Sequence, residues 1–147
     1  MTPETFSILA DIDNIVAVKE ASGNMEQIEE CILLAKGKAD VISGDDSLTV
    51  PIMAMGGVGV ISVASNVVPS FVSTMTSSFL NGDMKTAVDM QLKLLPLVKA
   101  LFSEVNPIPV KKCAEILGLC SGELRLPLTQ LTDKNRVALE SAMKDFV

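Results

Sequence analysis

The sequence predicts an α/β fold with a parallel sheet, followed by an all-helical segment. Helix-like and strand-like segments alternate up to residue 83, and no strand candidate follows. Such alternation is typical of parallel strands joined by crossover helices. With 147 residues the chain fits one ordinary domain better than two. We therefore predict an α/β part over 1–83 and a helical part over 84–147.

The first elements carry clear local signals. Thr2-Pro3-Glu4 predicts a helix start, because Thr is a good N-cap, Pro suits the first turn and an acid complements the helix dipole there. This helix should reach Ala10 or Asp11. Four consecutive apolar residues, 15–18, predict a buried strand that ends at Lys19. The remaining predicted elements are strands over 40–43 and 58–64 and helices over 25–36, 47–55, 69–80, 84–102, 107–117 and 132–146.

The composition argues against several functions. The net charge is −6 and no cluster of Lys or Arg is present, which disfavours nucleic acid as a partner. There is no histidine, and the three cysteines have no metal-binding spacing, so we expect no metal site. Unpaired thiols indicate a reducing, cytoplasmic location. We expect Cys113 and Cys120 to be plain buried thiols.

The longest uncharged run lies between Asp46 and Asp83. Its hydropathy resembles that of a membrane span, but its Gly, Pro and Ser/Thr content does not suit one. Strands and helices buried on both faces have the same composition, so we predict core elements and no membrane. The N-terminal residues also lack the basic and apolar regions of a signal peptide.

Polar residues follow each predicted strand at its carboxyl end, where parallel α/β folds gather their sites. They are Lys19-Glu20, Gly44-Asp45-Asp46 and residues 62–66. Gly44-Asp45-Asp46 is either a substrate contact or a turn in which Asp46 caps the next helix, and the cap is the favoured interpretation for Asp46. The glycines of 56–59 precede a strand, so they indicate close packing or a tight turn and not a phosphate loop.

Lys19 has two interpretations. A lysine at the end of an apolar strand is partly removed from water, which lowers its pKa and makes the neutral amine a nucleophile for a carbonyl carbon. Alternatively, Lys19 extends to solvent or pairs with an acid. Strand-end lysines are common, so position alone favours the second interpretation.

Three parallel strands form a thin sheet with exposed edges, which proteins normally avoid. The high hydrophobicity and the small number of strands together suggest that something else completes this sheet.

Several segments resemble one family. They are PET at 3–5, VAVKEASGN at 16–24, SGDDSLTVPIMAMGGVGVISVASNVVP at 43–69, EVNPIPVKKCAEILGL at 104–119 and LRLPLTQLT at 124–132. Their order and spacing resemble the C-terminal half of dihydrodipicolinate synthases, which are pyruvate-dependent class I aldolases of the N-acetylneuraminate lyase superfamily. NPIPVK and LRLPL favour this branch over the sialic-acid and keto-deoxy-sugar lyases.

The resemblance implies the last three strands of an eight-stranded (β/α)8 TIM barrel and a C-terminal helical domain. Lys19 matches the lysine that forms an imine with pyruvate, and Ile61 matches the residue whose backbone carbonyl lies beside it. Gly44 and Asp45 match positions that line the same pocket. The implied reaction condenses pyruvate with aspartate semialdehyde in lysine (diaminopimelate) biosynthesis, with no cofactor beyond the imine. The implied partners are further copies, typically forming a tetramer, or a complementary N-terminal half.

The chain departs from the family in what it lacks. Full members have five earlier strands that supply a threonine and tyrosine proton relay and an arginine for the second substrate. This sequence has no tyrosine, and its arginines, Arg125 and Arg136, lie in the helical part. A truncated species, a split gene and a designed half-barrel all fit. The alternatives are another pyruvate-dependent aldolase or lyase, or a non-catalytic half-barrel that needs a complementary chain.

Overall fold

The computed structural model describes residues 1–146. Its helices are α1 (Pro3–Leu9), α2 (Met25–Ala35), α3 (Thr49–Ala54), α4 (Pro69–Leu80), α5 (Met84–Leu101), α6 (Ile108–Ile116) and α7 (Asp133–Met143), and its strands are β1 (Ala17–Glu20) and β2 (Asp40–Ser43). Short 3-10 turns cover Asp46–Leu48 and Ala64–Asn66. The order of elements confirms the predicted alternation up to α3.

The ends of the first two helices follow their local signals. The Thr2 hydroxyl accepts a hydrogen bond from the Thr5 amide at 3.3 Å. The Asn24 side chain accepts one from the Glu26 amide at 3.1 Å and so caps α2. At its other end α2 leaves the helical conformation through Lys36, with φ 52°, and Gly37, with φ 74°. A left-handed residue followed by glycine is a common way to end a helix.

The sheet is smaller than predicted. β1 and β2 pair in parallel, with Ala17 opposite Asp40 and Glu20 opposite Ser43. The predicted third strand, 58–64, is wrong in length, because only Val60 forms a bridge, to Ser43.

Three backbone hydrogen bonds nevertheless join the segment 58–61 to β2. They run from the Val58 amide to the Val41 carbonyl at 3.0 Å, from the Ser43 amide to the Gly59 carbonyl at 2.9 Å, and from the Ile61 amide to the Ser43 carbonyl at 2.8 Å. Beyond Ile61 the chain leaves the ladder, because the amides of Val63 and Ala64 donate to the Asp46 carboxylate instead of to a strand.

The two faces of the sheet differ in how they are covered. Helices α1 and α2 cover one face and form with it a small cluster, defined here as Phe6, Ala10, Cys31, Ala35, Ala39 and Val41. The prediction that 15–18 is fully buried is wrong, because Val16 is 69% exposed and Val18 is only half-buried. Within residues 1–146 no strand pairs with the free edge of β1, so its side chains lack the neighbours that bury a parallel strand.

A second and larger core lies among helices α3 to α7 and the turns between them. We call it the large core, and its buried members are Val50, Ala64, Val67, Val68, Val72, Met75, Ala87, Leu94, Leu97, Val98, Ala100, Leu101, Ile108, Val110, Cys113, Leu131, Leu139 and Met143. These residues come from both sides of residue 83, so the apolar interior does not divide there. The boundary between 1–83 and 84–147 therefore stays a prediction.

The structure also tests the predicted burial of the two C-terminal cysteines. Cys113 is buried, but Cys120 is exposed, so its predicted burial is wrong. Cys120 follows the turn at Gly118, where the chain leaves α6 with φ 70°.

Among residues 1–146, no helix is long and apolar enough to cross a membrane.

Candidate active site

Lys19, Gly44 and Ile61 lie on one face of the sheet, at the carboxyl ends of adjacent strands. Lys19 pairs with Ile42, and the bridge between Ser43 and Val60 fixes the register of the next segment. Because side chains alternate between faces along a strand, Lys19, Ile42 and Ile61 point to the same side. This side is opposite the small cluster, and Ile61 is 48% exposed on it. The structure therefore brings the sequence-predicted residues together.

Position 44 requires a glycine, because the side chains of Ala21 and Lys19 lie too close to its backbone to leave room for a Cβ atom. A Cβ atom at this position would lie 2.6 Å from the Ala21 Cβ and 2.9 Å from the Lys19 Cε. The Gly44 amide also donates to the Glu20 carbonyl at 2.7 Å, which holds the two strand ends together. The aliphatic part of Lys19 thus lies directly on the backbone of Gly44.

Among the residues that the structure describes, the Lys19 amine has no acidic partner. Its side chain is exposed, and within residues 1–146 it forms no ion pair. Glu20 points to the other face, where its carboxylate accepts hydrogen bonds from the Ser22 amide at 2.8 Å and the Gln27 Nε2 at 3.3 Å. The expectation that Lys19 is partly removed from water is therefore wrong for these residues, because the face on which it lies is uncovered. Of the two forms of the other interpretation, extension to solvent is what the structure shows, and pairing with an acid is not observed within residues 1–146.

The two neighbouring aspartates have different roles. The predicted cap, Asp46, is wrong: Asp45 accepts hydrogen bonds from the Ser47 amide at 2.8 Å and the Ser47 hydroxyl at 2.6 Å. Asp46 is 1% exposed. Its carboxylate accepts hydrogen bonds from the Ser62 hydroxyl, the Val63 amide at 2.9 Å and the Ala64 amide at 3.2 Å.

Gln91 links helix α5 to this region, and sequence reasoning missed it. Its Nε2 donates to the Asp46 carbonyl at 2.9 Å, and its Oε1 accepts from the Val50 amide at 2.9 Å. Gln91 is 6% exposed and falls on the helical stripe that includes Ala87 and Leu94. The sequence did contain a signal for this role: a glutamine on an apolar helix face is buried, and a buried side-chain amide needs hydrogen-bond partners.

A cleft of about 450 Å³ lies between the strand ends and α5. Its lining residues are Ala21, Gly44, Asp45, Ser47, Leu95, Val98, Lys99 and Phe102. Gly44 and Asp45 thus line this cleft, whereas Lys19 and Ile61 are not among its lining residues, so their common pocket stays a prediction. Among residues 1–146, no group of three His, Cys, Asp or Glu side chains is arranged to hold a metal ion.

These features define a class: a parallel α/β protein with its candidate site at the carboxyl ends of the strands. Comparison with known proteins gives the particular family. A family profile described as "Dihydrodipicolinate synthetase family" matches residues 1–146. The chain belongs to the dihydrodipicolinate synthetase family.

Individual relatives agree with this assignment. The 4-hydroxy-tetrahydrodipicolinate synthase of Caldicellulosiruptor bescii is 48% identical over 144 residues, which are 98% of this chain and 48% of that protein. The crystal structure of dihydrodipicolinate synthase from Aquifex aeolicus superposes with a TM-score of 0.94 at 43% identity and covers 99% of this chain and 50% of that one.

A third comparison concerns a complex. The chloride-inhibited dihydrodipicolinate synthase from Acinetobacter baumannii, complexed with pyruvate, gives a TM-score of 0.94 at 36% identity over 99% of this chain and 51% of that one. The chain spans about half the length of the relatives that it matches.

Proposed function

We propose that this chain is the pyruvate-binding, imine-forming part of a class I aldolase that condenses pyruvate with aspartate semialdehyde. On this proposal β1, β2 and the segment 58–61 correspond to the sixth, seventh and eighth strands of a (β/α)8 barrel, and the helices after residue 83 to its C-terminal domain. Lys19 is the imine-forming residue, and Gly44, Asp45 and the Ile61 carbonyl line the pyruvate pocket.

The observation that carries the proposal is the position of Lys19, whose aliphatic side chain lies against Gly44 on the face shared with Ile61 and whose amine has no acidic partner within residues 1–146. In its neutral form the amine attacks the keto carbon of pyruvate, and the carbonyl oxygen leaves as water. The resulting imine then loses a methyl proton to become the enamine nucleophile.

The second half of the reaction needs groups beyond this chain. The proton relay and the arginine that the resemblance implies have no counterpart in residues 1–147, which include no tyrosine. Positioned acid–base groups contribute about 10²–10⁴-fold to rate. We therefore expect imine formation from this chain and condensation only from a full-length enzyme, which we expect to act in the cytoplasm.

The test is reduction of the imine with borohydride in the presence of pyruvate, followed by intact mass and peptide mapping. We expect one reduced adduct, on Lys19. Lys19→Ala should abolish it, whereas Lys99→Ala, which removes a lysine from the neighbouring cleft, should not. No adduct in a folded sample, or an adduct that persists in Lys19→Ala, would contradict the proposal.

A second candidate is a non-catalytic half-barrel that assembles with a complementary chain or another copy. The uncovered face and the free edge of β1 favour it, because parallel sheets are normally covered on both faces. Sedimentation velocity distinguishes the cases: a monodisperse monomer at high concentration argues against assembly. A different pyruvate-dependent lyase is the alternative within the enzyme class, and substrate profiling of a full-length relative carrying these segments would separate the two.

A further inference from the structure

Asp46 is a buried charge that the imine chemistry does not use. It is 1% exposed, and within residues 1–146 no Lys or Arg forms an ion pair with it. Its carboxylate instead accepts three hydrogen bonds, from Ser62, Val63 and Ala64. A buried carboxylate is costly unless hydrogen bonds replace its water, so this contact holds the 62–64 turn in one geometry.

This turn directly follows Ile61. The Ile61 amide donates to the Ser43 carbonyl at 2.8 Å, which fixes the residue on its N-terminal side. On the C-terminal side, the Ser62 hydroxyl donates to Asp46 and accepts from the Ser65 amide at 2.8 Å. The peptide group that carries the Ile61 carbonyl is thus held at both ends, and no donor among residues 1–146 hydrogen-bonds to that carbonyl oxygen.

Gln91 holds Asp46 from the opposite side. Its amide group bonds to the Asp46 carbonyl and the Val50 amide, each at 2.9 Å. Helix α5 therefore sets the position of the Asp46 main chain, and the Asp46 carboxylate sets the position of the turn after Ile61.

We propose that Asp46, held by Gln91, is a positioning residue that directs the Ile61 carbonyl towards the adduct that Lys19 forms. The inference rests on the proposed function, because it assumes that Lys19 binds a 2-keto acid. The carbonyl oxygen can accept a hydrogen bond only from a group with a proton to donate. Free pyruvate has no such proton, whereas the carbinolamine hydroxyl and the iminium N–H do.

The contact therefore arises only after the C–N bond has formed. Groups that act only at that stage raise the rate at saturating substrate and leave substrate affinity almost unchanged. We expect Asp46→Ala to slow borohydride-trapped adduct formation at saturating pyruvate by about 10–100-fold, the effect of losing one hydrogen bond to a charged group. The half-saturating pyruvate concentration should stay within about threefold.

Asp46→Asn is the conservative variant. Its Oδ1 can still accept from both amides, and its Nδ2 can donate to the Ser62 oxygen, so the turn keeps its partners. We expect a rate within about threefold of the unsubstituted chain. Leu94→Ala is the control for general destabilisation, because Leu94 is fully buried in the large core and takes no part in the network. It should leave the rate unchanged at temperatures where it is folded.

Hydrogen exchange of the Val63 and Ala64 amides is the second measurement. Exchange should accelerate in Asp46→Ala and not in Asp46→Asn. An unchanged trapping rate in Asp46→Ala, an equal loss in Leu94→Ala, or no rescue by Asp46→Asn would overturn the positioning role. Absence of adduct in every folded variant, the unsubstituted chain included, would instead overturn the proposed function and with it this inference.

Discussion

The small cluster and the large core contain the same kinds of residue but differ in how completely they are closed. Eighteen buried residues make up the large core, and most of them lie on helices α4 to α7. The small cluster has six buried residues beneath a sheet whose other face is open. Stability in small domains scales with the apolar surface removed from water. The difference indicates that the large core contributes most of the folding free energy and that the sheet with its small cluster is the weaker region.

The largest expected effect comes from the large core. Leu94 is fully buried on α5, so Leu94→Ala should lower the free energy of unfolding by about 2–5 kcal/mol, through lost burial and the cavity left behind. Urea unfolding followed by circular dichroism measures this change. Leu92→Ala on the same helix is the control: Leu92 is 63% exposed, so its change should stay within about 0.5 kcal/mol. Equal effects of the two substitutions would contradict the proposed closure of this core.

The next effect tests the open side of the sheet. Gly44→Ala introduces a methyl group 2.6 Å from Ala21 Cβ and 2.9 Å from Lys19 Cε. Overpacking of this kind costs about 1–3 kcal/mol, and it should also displace Lys19 and reduce the trapped adduct. Ala21→Gly in the same chain should restore part of the stability, because it removes the nearest contact. A Gly44→Ala variant with unchanged stability and adduct would show that this backbone approach is not needed.

The small cluster and the large core each contain one buried cysteine, so the opening of the two regions can be measured separately. Burial raises the pKa of Cys31, to which the charges of Glu20 and Glu30 add, and burial raises the pKa of Cys113 to about 11. Both thiols are therefore unreactive until their regions open, whereas exposed Cys120 should react first with iodoacetamide at pH 8.

In low urea we expect Cys31 in the small cluster to react about tenfold faster than Cys113 in the large core, because weaker regions open more often. Peptide mass mapping over time gives both rates in one sample. If Cys113 reacts as fast as Cys31, the ranking of the two regions is wrong.

The smallest expected effect concerns the junction of α7. Glu104 accepts hydrogen bonds from the Thr132 amide at 3.1 Å, the Thr132 hydroxyl at 2.6 Å and Asn135 Nδ2 at 2.8 Å. The Thr132 side chain, then Asn135 and the Thr132 backbone, lower the pKa of Glu104 from its ordinary value of 4.5. A lowered pKa in the folded state gives stability that is present above 4.5 and lost as pH falls through the folded value.

Glu104→Gln should therefore cause a small fall in Tm at pH 7 that shrinks as the pH drops below 4.5. Thermal unfolding at several pH values measures it. Glu123→Gln, a change at an exposed glutamate, should show neither the fall nor its pH dependence. A difference between Glu104→Gln and the unsubstituted chain that grows towards acid would reverse the assigned sign.

Sequence signals predicted the elements that depend on neighbours along the chain. The Thr2 cap and helix α4 are correct because capping and periodicity act within a few residues. The length of the third strand was wrong because the Asp46 carboxylate, seventeen and eighteen residues earlier, takes the Val63 and Ala64 amides. No local pattern carries that information.

The site was predictable to a similar extent. The register of the strands brings Lys19 and Gly44, which the strand-end argument named, to one face with Ile61, which only the family resemblance named. The choice between Asp45 and Asp46 as cap was not predictable, because adjacent aspartates have the same capping propensity and only burial distinguishes them. The exposure of Lys19 depends on whether its face of the sheet is covered, which no residue near it specifies.

The bonds made by Gln91 have a consequence for how this protein can change over generations. Both of its partners, the Asp46 carbonyl and the Val50 amide, belong to the main chain. Every amino acid supplies such a carbonyl, and every one except proline supplies such an amide. Replacement of the Val50 side chain therefore leaves the bond intact, whereas replacement of Gln91 removes both bonds at once. For these two bonds alone, sequence change is thus constrained at one position, Gln91, and not at the two positions that it contacts.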